Sequence, residues 1–101
     1  MSDILAGLQM AVAEGTEAEV LETVRYLDQC GYDWRTPDVI SPFAHPLATA
    51  IDANRLEMVQ LLLGIGVKPD TMFGSVSALE FAVAKGKTDI SEYLRNHERN
   101  E

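Results

Sequence analysis

Apolar and polar positions alternate along this chain with the period of amphipathic helices, and one short pattern recurs three times. Leu8-Gln9-Met10-Ala11-Val12-Ala13-Glu14-Gly15, Leu47-Ala48-Thr49-Ala50-Ile51-Asp52-Ala53-Asn54 and Leu79-Glu80-Phe81-Ala82-Val83-Ala84-Lys85-Gly86 each place Leu first, Ala fourth and an aliphatic residue fifth. Each closes on Gly or Asn, the two residue types that enter the left-handed conformation at least cost, so each block predicts a short helix ended by a left-handed cap. A second helical pattern follows each block. In residues 55–63, Met58, Val59, Leu62 and Leu63 form one broad apolar stripe and leave Glu57 and Gln60 to solvent. Residues 88–95 repeat that pattern, and in the first unit it spans Thr16 to Cys30 with Val20, Val24 and Leu27 on the buried side.

Local signals place the helix ends. Thr16-Glu17-Ala18-Glu19 and Ser77-Ala78-Leu79-Glu80 are capping boxes, and Thr88 is a good N-cap ahead of Asp89 and Glu92. Gly31 stops the second helix of the first unit, and Gly64 and Gly66 stop that of the second. Gly15 to Gly31 is four residues longer than Asn54 to Gly66, which predicts about one extra helical turn in the first unit. Residues 34–46 and 67–76 are rich in Pro, Asp, Gly and Ser and predict turns or short hairpins. No stretch alternates long enough for a sheet strand, so the expected class is all-α.

The spacing of the blocks, 39 residues and then 32, falls in the range of repeat architectures, in which a unit buries its apolar face only against its neighbour. Leu47, Ala50, Leu62, Leu79 and Ala82 are the residues expected between units. The expectation is one domain, residues 1–101, made of helix-turn-helix units at about 3–35, 36–68 and 69–101.

These residues resemble ankyrin repeats. The Thr-Pro-Leu-His-x-Ala signature of that family is approached by His45-Pro46-Leu47-Ala48-Thr49-Ala50 and more loosely by Ser77-Ala78-Leu79-Glu80-Phe81-Ala82. Leu56 to Gly66 is similar to the family's second helix and its terminating glycine. His45 stands where Thr is usual, Ala48 and Glu80 replace the usual His, and the first unit lacks the Thr-Pro pair. The resemblance implies an ankyrin-repeat solenoid that binds another protein through its turn tips and the inner side of each first helix. Residue by residue, that face would comprise Glu14, Asp52, Ala53 and Lys85 just before the caps. On the turns it would comprise Asp38, Ser41, Thr71, Met72, Phe73 and Ser75. Trp34 falls where such a turn buries an aliphatic residue, and tryptophan is also a favoured interface anchor, so both roles stay open. Met72 and Phe73, at the tip of a turn between Asp70 and Gly74, are expected at the interface.

Charge narrows the partner. The 101 residues carry a formal net charge of −8, concentrated in residues 1–44, where eight acids face only Arg25 and Arg35. Such a chain repels nucleic-acid phosphates and anionic membranes, and its natural complement is a basic protein. Met1 to Leu5 shows no basic n-region and Leu61-Leu62-Leu63 is far too short to cross a bilayer, so a cytoplasmic location is expected.

Converging chemistry is sparse. The two histidines, His45 and His97, fall in different units, and His45 occupies the N-cap slot before Pro46. Cys30, the single cysteine, is expected to be a small buried or half-buried residue rather than a nucleophile. No phosphate loop or HExxH motif occurs, and no cofactor or metal is expected. The sequence therefore predicts a non-enzymatic protein-binding module. One form is an inhibitor or immunity-type protein that neutralises a basic toxin or enzyme. The other is an intracellular scaffold or adaptor. A small-molecule enzyme, the alternative of another class, finds no residue set to carry it.

Overall fold

The computed structural model describes residues 2–36 and 45–99. Its six helices are α1 (Ser2–Glu14), α2 (Glu17–Gln29), α3 (Pro46–Asp52), α4 (Leu56–Gly64), α5 (Ala78–Ala84) and α6 (Thr88–Arg99). A two-stranded antiparallel hairpin, β1 (Met72–Phe73) and β2 (Val76–Ser77), precedes α5. The chain is thus predominantly helical. The extra turn expected in the first unit is present, since α2 has 13 residues against 9 in α4.

Both capping boxes form. Thr16 Oγ1 accepts from the Glu19 N–H while Glu19 Oε1 accepts from the Thr16 N–H at 2.8 Å. Ser77 and Glu80 reciprocate in the same way at 3.0 Å each. Two of the three expected left-handed caps form as well, at Asn54 (φ 59°) and Gly86 (φ 73°). Gly15 differs. Its N–H continues the helical ladder to the Ala11 carbonyl, and a Cβ there would lie 2.6 Å from the Glu19 Oε1 that closes the capping box. Glycine serves here for close approach rather than for a left-handed turn. At α6 the first helical residue is Thr88 itself, and the Lys87 carbonyl receives the Ser91 N–H, so Lys87 and not Thr88 takes the N-cap place.

The helices pack in three successive pairs, α1 with α2, α3 with α4, and α5 with α6. Across pairs, α3 packs on both α1 and α5, and α4 touches α6. A seven-residue helix such as α3 or α5 is too short to persist alone, so its stability comes from these contacts. Small residues make the close approach: Ala50, Ala78 and Ala82 are fully buried, beside Leu47, Ile51 and Leu62. Leu79 is only half-buried, and Val83 is 55% exposed although its counterparts Val12 and Ile51 are fully buried. Among the described residues no further pair covers that side of α5, so the last layer keeps part of its apolar face in solvent.

Trp34 is buried at 2% exposure, which settles its place in favour of the core. Cys30, expected to be at least half-buried, is exposed at the C-cap of α2, because the buried face of that helix is already supplied by Val20, Val24 and Leu27.

The packing makes opposite substitutions harmful at two sites. Leu62→Ala is expected to lower unfolding free energy by about 2–5 kcal/mol, through lost contacts and the cavity left behind. Ala50→Leu is expected to cost about 1–3 kcal/mol, because three further carbons have no room between α1 and α3. Urea denaturation of both variants measures this, and near-neutral values for both would contradict the packing register.

Candidate functional site

The first helix of each pair carries four of the ten sequence-predicted positions. Glu14, Asp52, Ala53 and Lys85 are all exposed at the C-terminal ends of α1, α3 and α5. The tertiary structure joins two of them: Lys85 Nζ lies 3.4 Å from Asp52 Oδ1, tying α5 to α3. The same ammonium stands 5.5 Å from the centre of the Phe81 ring. Ala48, Thr49, Asp52, Phe81 and Lys85 line an open groove of about 380 Å³ between the two helices. Lined by the Asp52–Lys85 ion pair and the Phe81 ring, the groove can seat a side chain that is apolar along its stem and charged at its tip.

The hairpin separates the turn residues that sequence alone had grouped. Met72 pairs with Ser77 and Phe73 with Val76, and successive residues of a strand project to opposite faces. Met72 is 48% exposed, whereas Phe73 is 1% exposed and packs on Phe81 edge-to-face at 5.7 Å between centroids. Phe73 is therefore a core residue and not a partner contact. Thr71 is likewise buried: its hydroxyl donates to the Lys68 carbonyl and its own carbonyl accepts from the Ala78 N–H. Those bonds brace the entry to α5 and commit the Thr71 hydroxyl and carbonyl to the fold. Ser75, with Gly74 at the two-residue turn, is exposed. Asp38 and Ser41 lie outside the described residues.

Three polar ties between pairs carry no local sequence signal. Arg35 donates twice to Asp28, Nη1 to Oδ1 at 3.0 Å and Nη2 to Oδ2 at 3.2 Å, and its Nε donates to the Ile65 carbonyl at 3.1 Å. Its guanidinium also lies 4.3 Å from the centre of the Trp34 ring, whose Nε1–H donates to Asp28 Oδ1 at 3.0 Å. Arg55 donates from Nη1 to the Val12 carbonyl at 3.1 Å and from Nε to Glu57. His45 caps α3, its Nδ1 accepting from the Leu47 N–H, while Nε2 lies 2.8 Å from the Arg35 carbonyl. The bonds from Arg35 to Ile65 and from Arg55 to Val12 span 30 and 43 residues, far beyond any local pattern.

Among the described residues, two groups titrate away from their ordinary values. The hydrogen bonds from Arg35 and then from Trp34 hold the Asp28 carboxyl below its ordinary 3.8, against a small opposing effect of burial. Burial holds His45 below its ordinary 6.5, opposed by the Arg35 carbonyl and by the Asp33 carboxylate. Both are engaged in holding the fold. Among the described residues no three of His, Cys, Asp and Glu come together as a metal site, and no helix is long and apolar enough to cross a membrane. No protein-family model, curated protein or solved structure matches the chain.

Because the Asp28 carboxyl is lowered, its stabilising contribution is present above the ordinary carboxylate range and is lost as pH falls through the lowered value. Arg35→Gln removes the leading cause. The Asp28 titration, followed by carboxyl ¹³C NMR, is expected to move up toward the ordinary value, and an unchanged midpoint would show that Arg35 does not hold it.

Proposed function

We propose that this chain is a non-enzymatic protein-binding module of the ankyrin-repeat type, and that it meets a basic partner protein with the inner side of α1, α3 and α5 and the tip of the β1–β2 hairpin. The observation that carries this reading is the set of exposed positions at the ends of the first helices, Glu14 and the Asp52–Lys85 bridge with its groove, together with exposed Met72 on the hairpin. Three helical pairs in succession, with α3 packed between α1 and α5, are the arrangement such a module requires. A surface carried on packed helices needs little reordering on binding, so less of the contact energy is spent on immobilising it.

Charge supports the choice of partner. A net charge of −8 on a small protein raises the encounter rate with a basic surface and disfavours anionic ones. The two groups with moved pKa values, Asp28 and His45, are both committed to internal hydrogen bonds, and neither faces the groove between α3 and α5. The acidity favours an inhibitor or immunity-type role, in which the module covers the basic site of a toxin or enzyme.

The test compares two acids. Asp52 borders the inner groove, whereas Glu57 stands on α4 beside Arg55. With the partner captured from a source lysate and purified, Asp52→Lys is expected to slow association about tenfold at low salt. Stability should change by only about half a kcal/mol, as for other solvated charges. Glu57→Lys alters net charge equally and is expected to leave association within about twofold. Equal losses from both variants would place the effect in overall charge, and loss at neither would remove the inner face from recognition.

A further inference from the structure

One imidazole takes part in the joint between the first helical pair and the second. His45 is 1% exposed, with its ring 5.7 Å from that of Phe73. Its Nδ1 receives the Leu47 N–H at 3.0 Å, so Nδ1 bears no proton. Its Nε2 lies 2.8 Å from the Arg35 carbonyl, which can only accept, so Nε2 bears the proton. The hydrogen bonds therefore select one neutral tautomer. That ring binds three separate pieces of chain: the segment after α2, the first turn of α3, and the hairpin that leads to α5.

We propose that His45 is an acid-sensitive latch, closed while neutral, whose protonation at Nδ1 opens the first turn of α3 before the chain as a whole unfolds. A proton on Nδ1 converts the acceptor into a second donor aimed at the Leu47 N–H, and two donors at hydrogen-bond distance repel. The Arg35 carbonyl bond survives protonation, so the break falls on the α3 side.

Among the described residues, the charge that acts on the ring is that of Asp33. Asp33 favours the imidazolium, while the Arg35 guanidinium is turned onto Asp28 and the Ile65 carbonyl. Lys68 and Asp70, on the turn before β1, line a cavity with Asp33 and Arg35. α3 brings no charge in its first turn, and residues 72–77 of the hairpin bring none. Burial outweighs the favourable groups and holds the closed latch neutral below the ordinary 6.5. The open state takes its proton at the ordinary value. The latch is thus fully closed above about pH 6.5 and yields as pH falls from there toward the lowered value of the closed state, by up to about tenfold in the opening equilibrium per pH unit.

Amide hydrogen exchange of the whole chain, corrected for the intrinsic pH dependence, tests this. Protection of the Leu47 amide is expected to fall about tenfold between pH 7.5 and 5.5 while amides within α2 and α6 keep theirs. Asn is a good N-cap that does not titrate, so His45→Asn is expected to abolish the fall. Constant protection in the natural chain, a uniform loss across all helices, or the same fall in His45→Asn would each overturn the proposal. Should that variant fail to fold, ¹⁵N NMR of the imidazole in the natural chain decides. The latch requires the Nε2–H tautomer at pH 7.5 and protonation only below 6.5, and an Nδ1–H tautomer or protonation at higher pH would refute it.

Discussion

The rest of the structure depends on the close approach of α1, α3 and α5 through small side chains. Ala50, Ala78 and Ala82 are fully buried, and a larger residue at any of them would hold neighbouring helices apart. α3 and α5 are seven residues long, below the length at which a helix persists in water by itself. They exist because each lies against a neighbour. The same constraint explains why Val83 is exposed where Val12 and Ile51 are not: burial at that position needs a following pair.

Polar groups supplement this packing where helices end. Arg35, Arg55 and His45 each spend donors or acceptors on backbone groups of another unit. Such bonds use groups that α-helical geometry leaves over, namely terminal carbonyls such as those of Val12 and Ile65, and the first N–H groups of α3. Leaving any of them buried without a partner would cost about 1–3 kcal/mol. No described side-chain nitrogen or oxygen is buried without a hydrogen-bond partner.

The consequence for function is a division between faces. The arginine and histidine ties occupy the ends and the turns, and leave the inner side of the first helices to the Asp52–Lys85 bridge and its groove. That bridge is solvent-exposed and contributes little to stability. Its charges therefore remain open to solvent and to the exchange that the proposed function asks of them, which a buried pair would not allow.

Local chemistry determined much of the helix register before any tertiary contact was known. The capping boxes at Thr16 and Ser77, the His45-Pro46 start of α3 and the left-handed Asn54 and Gly86 need only neighbours within four residues, so they were legible in the chain itself. The repeated Leu and Ala positions likewise marked the shared core, because burial recurs with the helical period. Three-dimensional contacts decided what local pattern could not. Met72 and Phe73 are alike in sequence, yet a two-residue strand sends one to solvent and the other under α5. Thr71 is withdrawn from the surface by bonds to Lys68 and Ala78. Arg35 and Arg55 look like ordinary surface cations until helices 30 and 43 residues away offer them carbonyls. Short-range hydrogen bonding and periodicity are written in adjacent residues, whereas the partner of a side chain across a stack is set by where distant helices come to rest.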